Sequence, residues 1–315
     1  MTAKRLAEGG IEARPLTQLK IQDDVEATYH AARLSDGRLA VYTTGEKPHL
    51  WVINPTGGLV FDQALAEPLQ TDPIAFGRGL ILPASGSLQV LGRSSASGQI
   101  QDFPLPVSGQ AVDRFQDLVP FEEDQVIVLT TSGKLSRLQL REQNQVAFFE
   151  EVASIPLQQG VDVGLRVFGD RLLIADAEPA LSVLNGRSLE VLGKAALPQP
   201  APRAPWVVDD RILVQSGRDR LLCFEFGETL TKLWEVPLPA TSLAGAPQMV
   251  DGTLVAALQN GEVLRINPES GEVVKRLDVQ QAIADGPYLL GSHPVVITPD
   301  GGFVAVKTDE GGAAQ

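Results

Sequence analysis

Apolar positions in this chain fall into short runs, each preceded by a turn that carries Asp or Gly. Four of them are Asp36-Gly37-Arg38-Leu39-Ala40-Val41-Tyr42, Arg78-Gly79-Leu80-Ile81-Leu82, Asp124-Gln125-Val126-Ile127-Val128-Leu129 and Gly169-Asp170-Arg171-Leu172-Leu173-Ile174. Three more follow at Asp209-Asp210-Arg211-Ile212-Leu213-Val214, Asp251-Gly252-Thr253-Leu254-Val255-Ala256 and Asp300-Gly301-Gly302-Phe303-Val304-Ala305-Val306. Aligned on Leu39, Leu80, Val126, Leu172, Ile212, Leu254 and Phe303, the steps are 41, 46, 46, 40, 42 and 49 residues. A β-propeller blade repeats at about 40–50 residues. Near-continuous apolar runs suit strands covered on both faces, and Asp-Gly tolerates positive φ where the chain reverses.

Behind each run come further strands with a different pattern. In the sixth repeat Gln259-Asn260-Gly261 leads into Glu262-Val263-Leu264-Arg265-Ile266, and Asn267-Pro268-Glu269-Ser270-Gly271 leads into Glu272-Val273-Val274-Lys275-Arg276-Leu277. The first repeat echoes this with His49-Leu50-Trp51-Val52-Ile53, Asn54-Pro55-Thr56-Gly57 and Gly58-Leu59-Val60-Phe61. Apolar and polar residues alternate here, as in a sheet with unlike faces. One more strand sits upstream of the Asp-Gly turn, as in Ala246-Pro247-Gln248-Met249-Val250, which makes four strands per repeat.

The seventh repeat breaks off after Val306-Lys307, but the N-terminus offers a strand, a Gly9-Gly10 turn and another strand up to Leu16. An open ring would leave two unpaired edges, which are aggregation-prone. The pattern therefore predicts an all-β, seven-bladed propeller of four-stranded antiparallel blades, one domain over residues 1–315. Its last blade takes two inner strands from 286–307 and two outer strands from 1–22. Six full blades with ragged ends is the rival count. Little helix is expected, because no long segment carries a 3.6-residue apolar stripe.

Charge and composition narrow the function. The formal net charge of -13 argues against a nucleic-acid binder, which needs a basic face. Cys223 is alone, so no intrachain disulfide and no multi-cysteine zinc site can form; its apolar run reads as a buried, inert thiol. No stretch approaches the ~18 apolar residues of a membrane span. The first ten residues lack an apolar signal region, which favours the cytoplasm for the chain as given, or export within a longer protein.

No catalytic constellation stands out. His30, His49 and His293 lack metal-ligand spacing, and Ser292-His293 adjacency is no evidence of triad geometry. Acidic pairs such as Asp209-Asp210 lie where repeats turn, without the spacing of a calcium loop. Trp51, Trp206 and Trp234 fall in strand-like segments and read as packing between blades. No catalytic, cofactor-binding or metal residue is assigned.

The segment Asp251–Val274 resembles the repeat of pyrroloquinoline-quinone-like propellers. That family includes quinoprotein alcohol dehydrogenases and the propeller of a bacterial outer-membrane assembly lipoprotein. The resemblance implies the fold more than the activity, because this superfold hosts both enzymes and scaffolds. The tryptophan docking signature usual in the enzymes is missing from most repeats, and only Gly227–Trp234 comes near it. The vicinal disulfide that many of them carry is impossible with one cysteine. The resemblance thus points to the non-enzymatic branch and implies no bound cofactor.

Propellers commonly use the face made by the loops joining second to third strands and by the links between blades. Here that face holds loops 43–49, 83–87, 130–134, 175–179, 215–220, 259–261 and 307–310. Lys47, Lys134, Arg218, Arg220 and Lys307 give it positive character on an acidic chain. The expected function is a non-catalytic scaffold that binds a protein or peptide partner through this face. The alternative is a quinone- or metal-dependent, dehydrogenase-like enzyme with its site in a central channel.

Overall fold

The computed structural model describes residues 28–92, 101–105, 107–108, 111–144, 146–157, 164–176, 178–290 and 293–306. Among them every regular element is a β-strand. The first sheet is β1 (Thr28–Arg33), β2 (Leu39–Thr44), β3 (His49–Ile53) and β4 (Leu59–Ala64), hydrogen-bonded in chain order. The second is β5 (Ile74–Phe76), β6 (Gly79–Ala84), β7 (Ser87–Leu91) and β8 (Phe103–Pro104). A two-residue ribbon, β9 (Val107–Ser108) with β10 (Ala111–Val112), precedes the third sheet of β11 (Phe115–Pro120), β12 (Gln125–Thr130), β13 (Lys134–Gln143) and β14 (Val146–Pro156).

The fourth sheet is β15 (Arg166–Phe168), β16 (Arg171–Asp176), β17 (Ala180–Asn185) and β18 (Val191–Ala196). The fifth is β19 (Trp206–Val208), β20 (Arg211–Ser216), β21 (Arg220–Phe226) and β22 (Leu230–Pro237). The sixth is β23 (Gln248–Val250), β24 (Thr253–Ala257), β25 (Glu262–Ile266) and β26 (Val273–Asp278). The seventh has three strands, β27 (Asp285–Leu290), β28 (His293–Ile297) and β29 (Phe303–Ala305).

The burial of each strand follows its sequence pattern. The aliphatic second strands β6 and β12 are buried along their whole length, whereas β26 alternates between partly buried and exposed residues. The turns also behave as their chemistry requires: Asp209 and Asp251 sit at φ 54° and 47° in the hairpins leading into β20 and β24.

By contacts the described residues divide into two compact units, the first drawn from 28–173 and Leu184–Val191, the second from Ile174–Val183 and 192–306. In both, the core lies between consecutive sheets. In the first unit Ala40, Tyr42 and Leu50 pack against Leu80 and Leu82, while Phe76, Ile81 and Leu88 pack against Phe115, Leu118 and Val126. In the second unit Leu213, Leu221 and Trp234 meet Leu254, Leu264 and Ile266, and Val255 and Val263 meet Val296. Turn arginines add polar ties: Arg38 donates to the carbonyls of Arg78 and Gly79, and Arg211 pairs with Glu269.

Aromatic side chains lock some of these interfaces. Trp234 on β22 lies over Gly271, in the turn between β25 and β26, and its Nε1 donates to the Pro268 carbonyl at 2.7 Å. Gly271 has φ +73°, and a Cβ there would come within 2.8 Å of the indole. Phe61 on β4 covers Gly92 of the next sheet in the same manner. Phe61 and Trp234 each follow a bulge in the pairing of third and fourth strands, so they are register equivalents. At the matching position of β26 stands Lys275. The docking signature that the sequence shows weakly at Trp234 is thus physically present, with phenylalanine substituting in the first sheet.

The seventh sheet departs from the expected layout. Phe303 opens its third strand, not its second, and the C-terminal segment supplies three strands where two were expected. Asp-Gly marks a reversal but not which reversal: Asp300-Gly301 closes the β28–β29 hairpin, where the Thr298 hydroxyl donates to Asp300. The outer strands expected from 1–22 lie outside the described residues, as do Ser292 and Lys307.

Candidate functional site

In the first unit, the ends of the first three sheets frame a cleft of about 720 Å³. Three hairpins joining second to third strands reach it, through Thr44 and Gly45, Ser85, and Thr131. The two links between sheets complete it, with Pro68, Leu69 and Gln70 from one and Arg114 from the other, beside Phe115 and Gln116 at the start of β11. Leu69 and Phe115 are buried, so the floor is apolar beneath a polar rim.

Hydrogen bonds hold these links against the hairpins. The Gln70 amide donates to the Pro83 carbonyl at 2.8 Å, and the Thr131 amide donates to the Arg114 carbonyl at 2.9 Å. The Phe115 amide donates to Gln70 Oε1 at 2.7 Å. Asp113 ties its link to the β12–β13 hairpin, accepting from the amides of Arg114 and Ser132 and from the hydroxyls of Thr131 and Ser132. Burial alone would raise its pKa; the hydrogen bonds from Ser132, Thr130, Thr131 and the Arg114 amide outweigh burial and hold it below the usual carboxylate range. The second unit ties its links in the same way: Ser216 Oγ donates to the Gln199 carbonyl and accepts from its amide, both at 2.8 Å.

Five cations were expected to colour this face. Lys134 is neutralised by Glu151 at 2.7 Å. Glu151 is held below its ordinary pKa, because hydrogen bonds from Lys134, Ser154 and Ser136 overcome its burial. Arg220 is paired with Glu235, whose pKa is lowered by Lys232 and by Arg220 itself. Lys47 and Arg218 are exposed and make no ion pair among the described residues, in the first and second unit respectively. None of these four lines the cleft. Arg114 does, and it too has no ion pair among the described residues. Arg114 belongs to a link between sheets and not to a hairpin, and no motif marks it in the sequence.

The other candidates are dispersed. His30 stacks on Tyr42, with Nε2 3.3 Å from Thr44 Oγ1, and His49 stacks on Trp51 while pairing with Asp62 at 2.7 Å. Trp51, Trp206 and Trp234 are buried, as is Cys223. Burial pushes the Cys223 thiol up to about 11. Among the described residues no three His, Cys, Asp or Glu side chains gather where they could hold a metal ion, and no helix is long and apolar enough to cross a membrane.

Solved structures of low identity share this architecture. BamB from Moraxella catarrhalis is 16% identical with a TM-score of 0.62, covering 85% of this chain and 80% of that one. The C-terminal WD40 domain of Sif2 is 16% identical at 0.63, covering 89% and 81%. Sqt1 of Saccharomyces cerevisiae is 11% identical at 0.66, covering 90% and 85%. The fold is that of a β-propeller. No curated protein sequence matches the chain significantly. The profile described as outer membrane protein assembly factor BamB matches residues 141–286 and 228–313, together more than half of the 315 residues. On that match, joined to the four-stranded repeats and the docked tryptophan, the chain belongs to the BamB family of PQQ-like propellers.

Proposed function

We propose that this protein is a non-catalytic scaffold that binds a protein or peptide partner through the loops joining second to third strands and the links between sheets. The observation that carries the reading is the cleft of about 720 Å³ at the ends of the first three sheets. It falls in the size range of ligand sites, and its hydrogen-bonded rim is preorganised, which lowers the ordering cost of binding. The family description, an outer membrane protein assembly factor, supports a partner that is a protein. Lys47 and Arg218 are the best placed of the expected cations to meet that partner. Lys134 and Arg220 already spend their charge on Glu151 and Glu235; Lys307 belongs to the same proposal from sequence alone.

The same reading includes a single domain of seven blades in one closed ring. Since the C-terminal segment supplies three strands to the last sheet, one further strand from residues 1–22 would complete it.

Crosslinking in the native lysate, mapped by mass spectrometry, tests the scaffold. Crosslinks from Lys47 to one protein, reproducible and lost after competition by that purified protein, are expected. Crosslinks confined to outer strands such as β18 and β26 would overturn the proposed face.

A further inference from the structure

We infer that the cleft of the first unit takes an acidic side chain from an extended segment of a protein partner, with Arg114 as its anchor. This deepens the scaffold reading and rests on it. Among the described residues, the cleft is lined by one cation, Arg114, and by no carboxylate. Asp113, the carboxylate nearest in sequence, accepts one hydrogen bond from the Arg114 amide and three from Thr131 and Ser132 of the β12–β13 hairpin, so its oxygens are committed. Thr131 spends its hydroxyl proton on Asp113. Gln70 Oε1 is taken by the Phe115 amide, which leaves the Gln70 NH₂ as the group on offer.

Arg114 has its guanidinium uncommitted among the described residues. Thr44, Ser85 and Gln116 can each donate or accept, so Arg114 is the one charged group among the described residues that line the cleft. A guanidinium presents paired N–H groups whose spacing matches the two oxygens of a carboxylate, and such bidentate bonds are among the strong ones. The buried Phe115 and Leu69 beneath reduce the water that would screen the pair. The net charge of -13 does not oppose this at short range, because exposed charges beyond about 8 Å are screened at physiological salt.

The test selects random peptides displayed on phage against the full-length chain and, in parallel, against Arg114→Gln. Enriched peptides are then synthesised with both termini capped, so that a chain-end carboxylate cannot stand in for a side chain, and titrated by fluorescence anisotropy. Peptides enriched on the wild type should carry Asp or Glu. Changing that residue to its amide, or Arg114→Gln, should each weaken binding by about tenfold or more, and the two together should cost little beyond either alone. No enrichment, enrichment of peptides without acids, or acidic peptides indifferent to Arg114→Gln overturns the inference. An unchanged melting temperature for Arg114→Gln confirms that the exposed substitution leaves the fold intact. Crosslinks at Lys47 that persist in Arg114→Gln would sink this inference and leave the scaffold reading standing.

Discussion

At the scale of single residues, burial decides most of the chemistry. Cys223 is enclosed and its thiol is pushed up to about 11, so native protein should stay unlabelled by a maleimide at neutral pH and label fully once unfolded. Rapid labelling of the folded chain would contradict that burial. Asp117 gives a pH dependence of definite sign. Burial raises its pKa, against the amides of Leu165 and Leu118 and the charge of Arg166. The folded state thus holds that proton more tightly than the unfolded state, and the group's contribution to stability falls as pH rises from the unfolded value of about 3.9 through the folded one. Asp117→Asn should gain on the wild type over that interval in urea melts, and then run parallel above it. A difference independent of pH would refute the assignment. The acids Asp113 and Glu151, whose pKa values are lowered, act in the opposite sense.

At the scale of elements, the contact between one sheet and the next is the unit of stability. Gly271→Ala forces a Cβ to 2.8 Å from the Trp234 indole at φ +73°, and should cost about 1–3 kcal/mol in denaturant unfolding. Trp234→Phe removes the bond to the Pro268 carbonyl and should cost about 1 kcal/mol from that source. Phe61 occupies the equivalent register in the other unit, so Trp234→Phe and Phe61→Leu share no partner and their costs should add to within about 0.5 kcal/mol. Large coupling would show that the docking aromatics do not act independently.

The sequence revealed these elements unevenly, for physical reasons. Six of the seven apolar runs start second strands, as period and turn chemistry indicated, because those strands, β2 apart, are buried on both faces and tolerate little else. The seventh was placed one strand late, since the Asp300-Gly301 turn carries the same local chemistry in a different hairpin. The cleft was less legible. Loop position and charge together point to Lys134 and Arg220, but their partners Glu151 and Glu235 arrive from the adjoining fourth strand, a pairing that spacing along the chain does not display. Arg114 carries no motif at all; only the meeting of three hairpins and two links makes it the cation of the site.

At the scale of the whole molecule, the proposed closure has its own test. β29 ends a sheet of three described strands and exposes Phe303 at 52%. Removing residues 1–16 should lower the melting temperature of the entire chain and promote association through that edge. A truncated protein as stable and as monomeric as the full chain would exclude the N-terminal strand from the blade.

The interleaved cores carry one more consequence, for how such a chain can change over generations. β6 presents one side to the sheet before it and the other to the sheet after it, and β24 does the same, so a single repeat of this kind holds both halves of a joint. A duplication of ~40 residues therefore inherits a matching surface at either end without a new one having to arise. Individual letters can drift far while the joints persist, and lineages can experiment with loops at the rim as cheaply as a craftsman changes the teeth on a wheel whose spokes already fit.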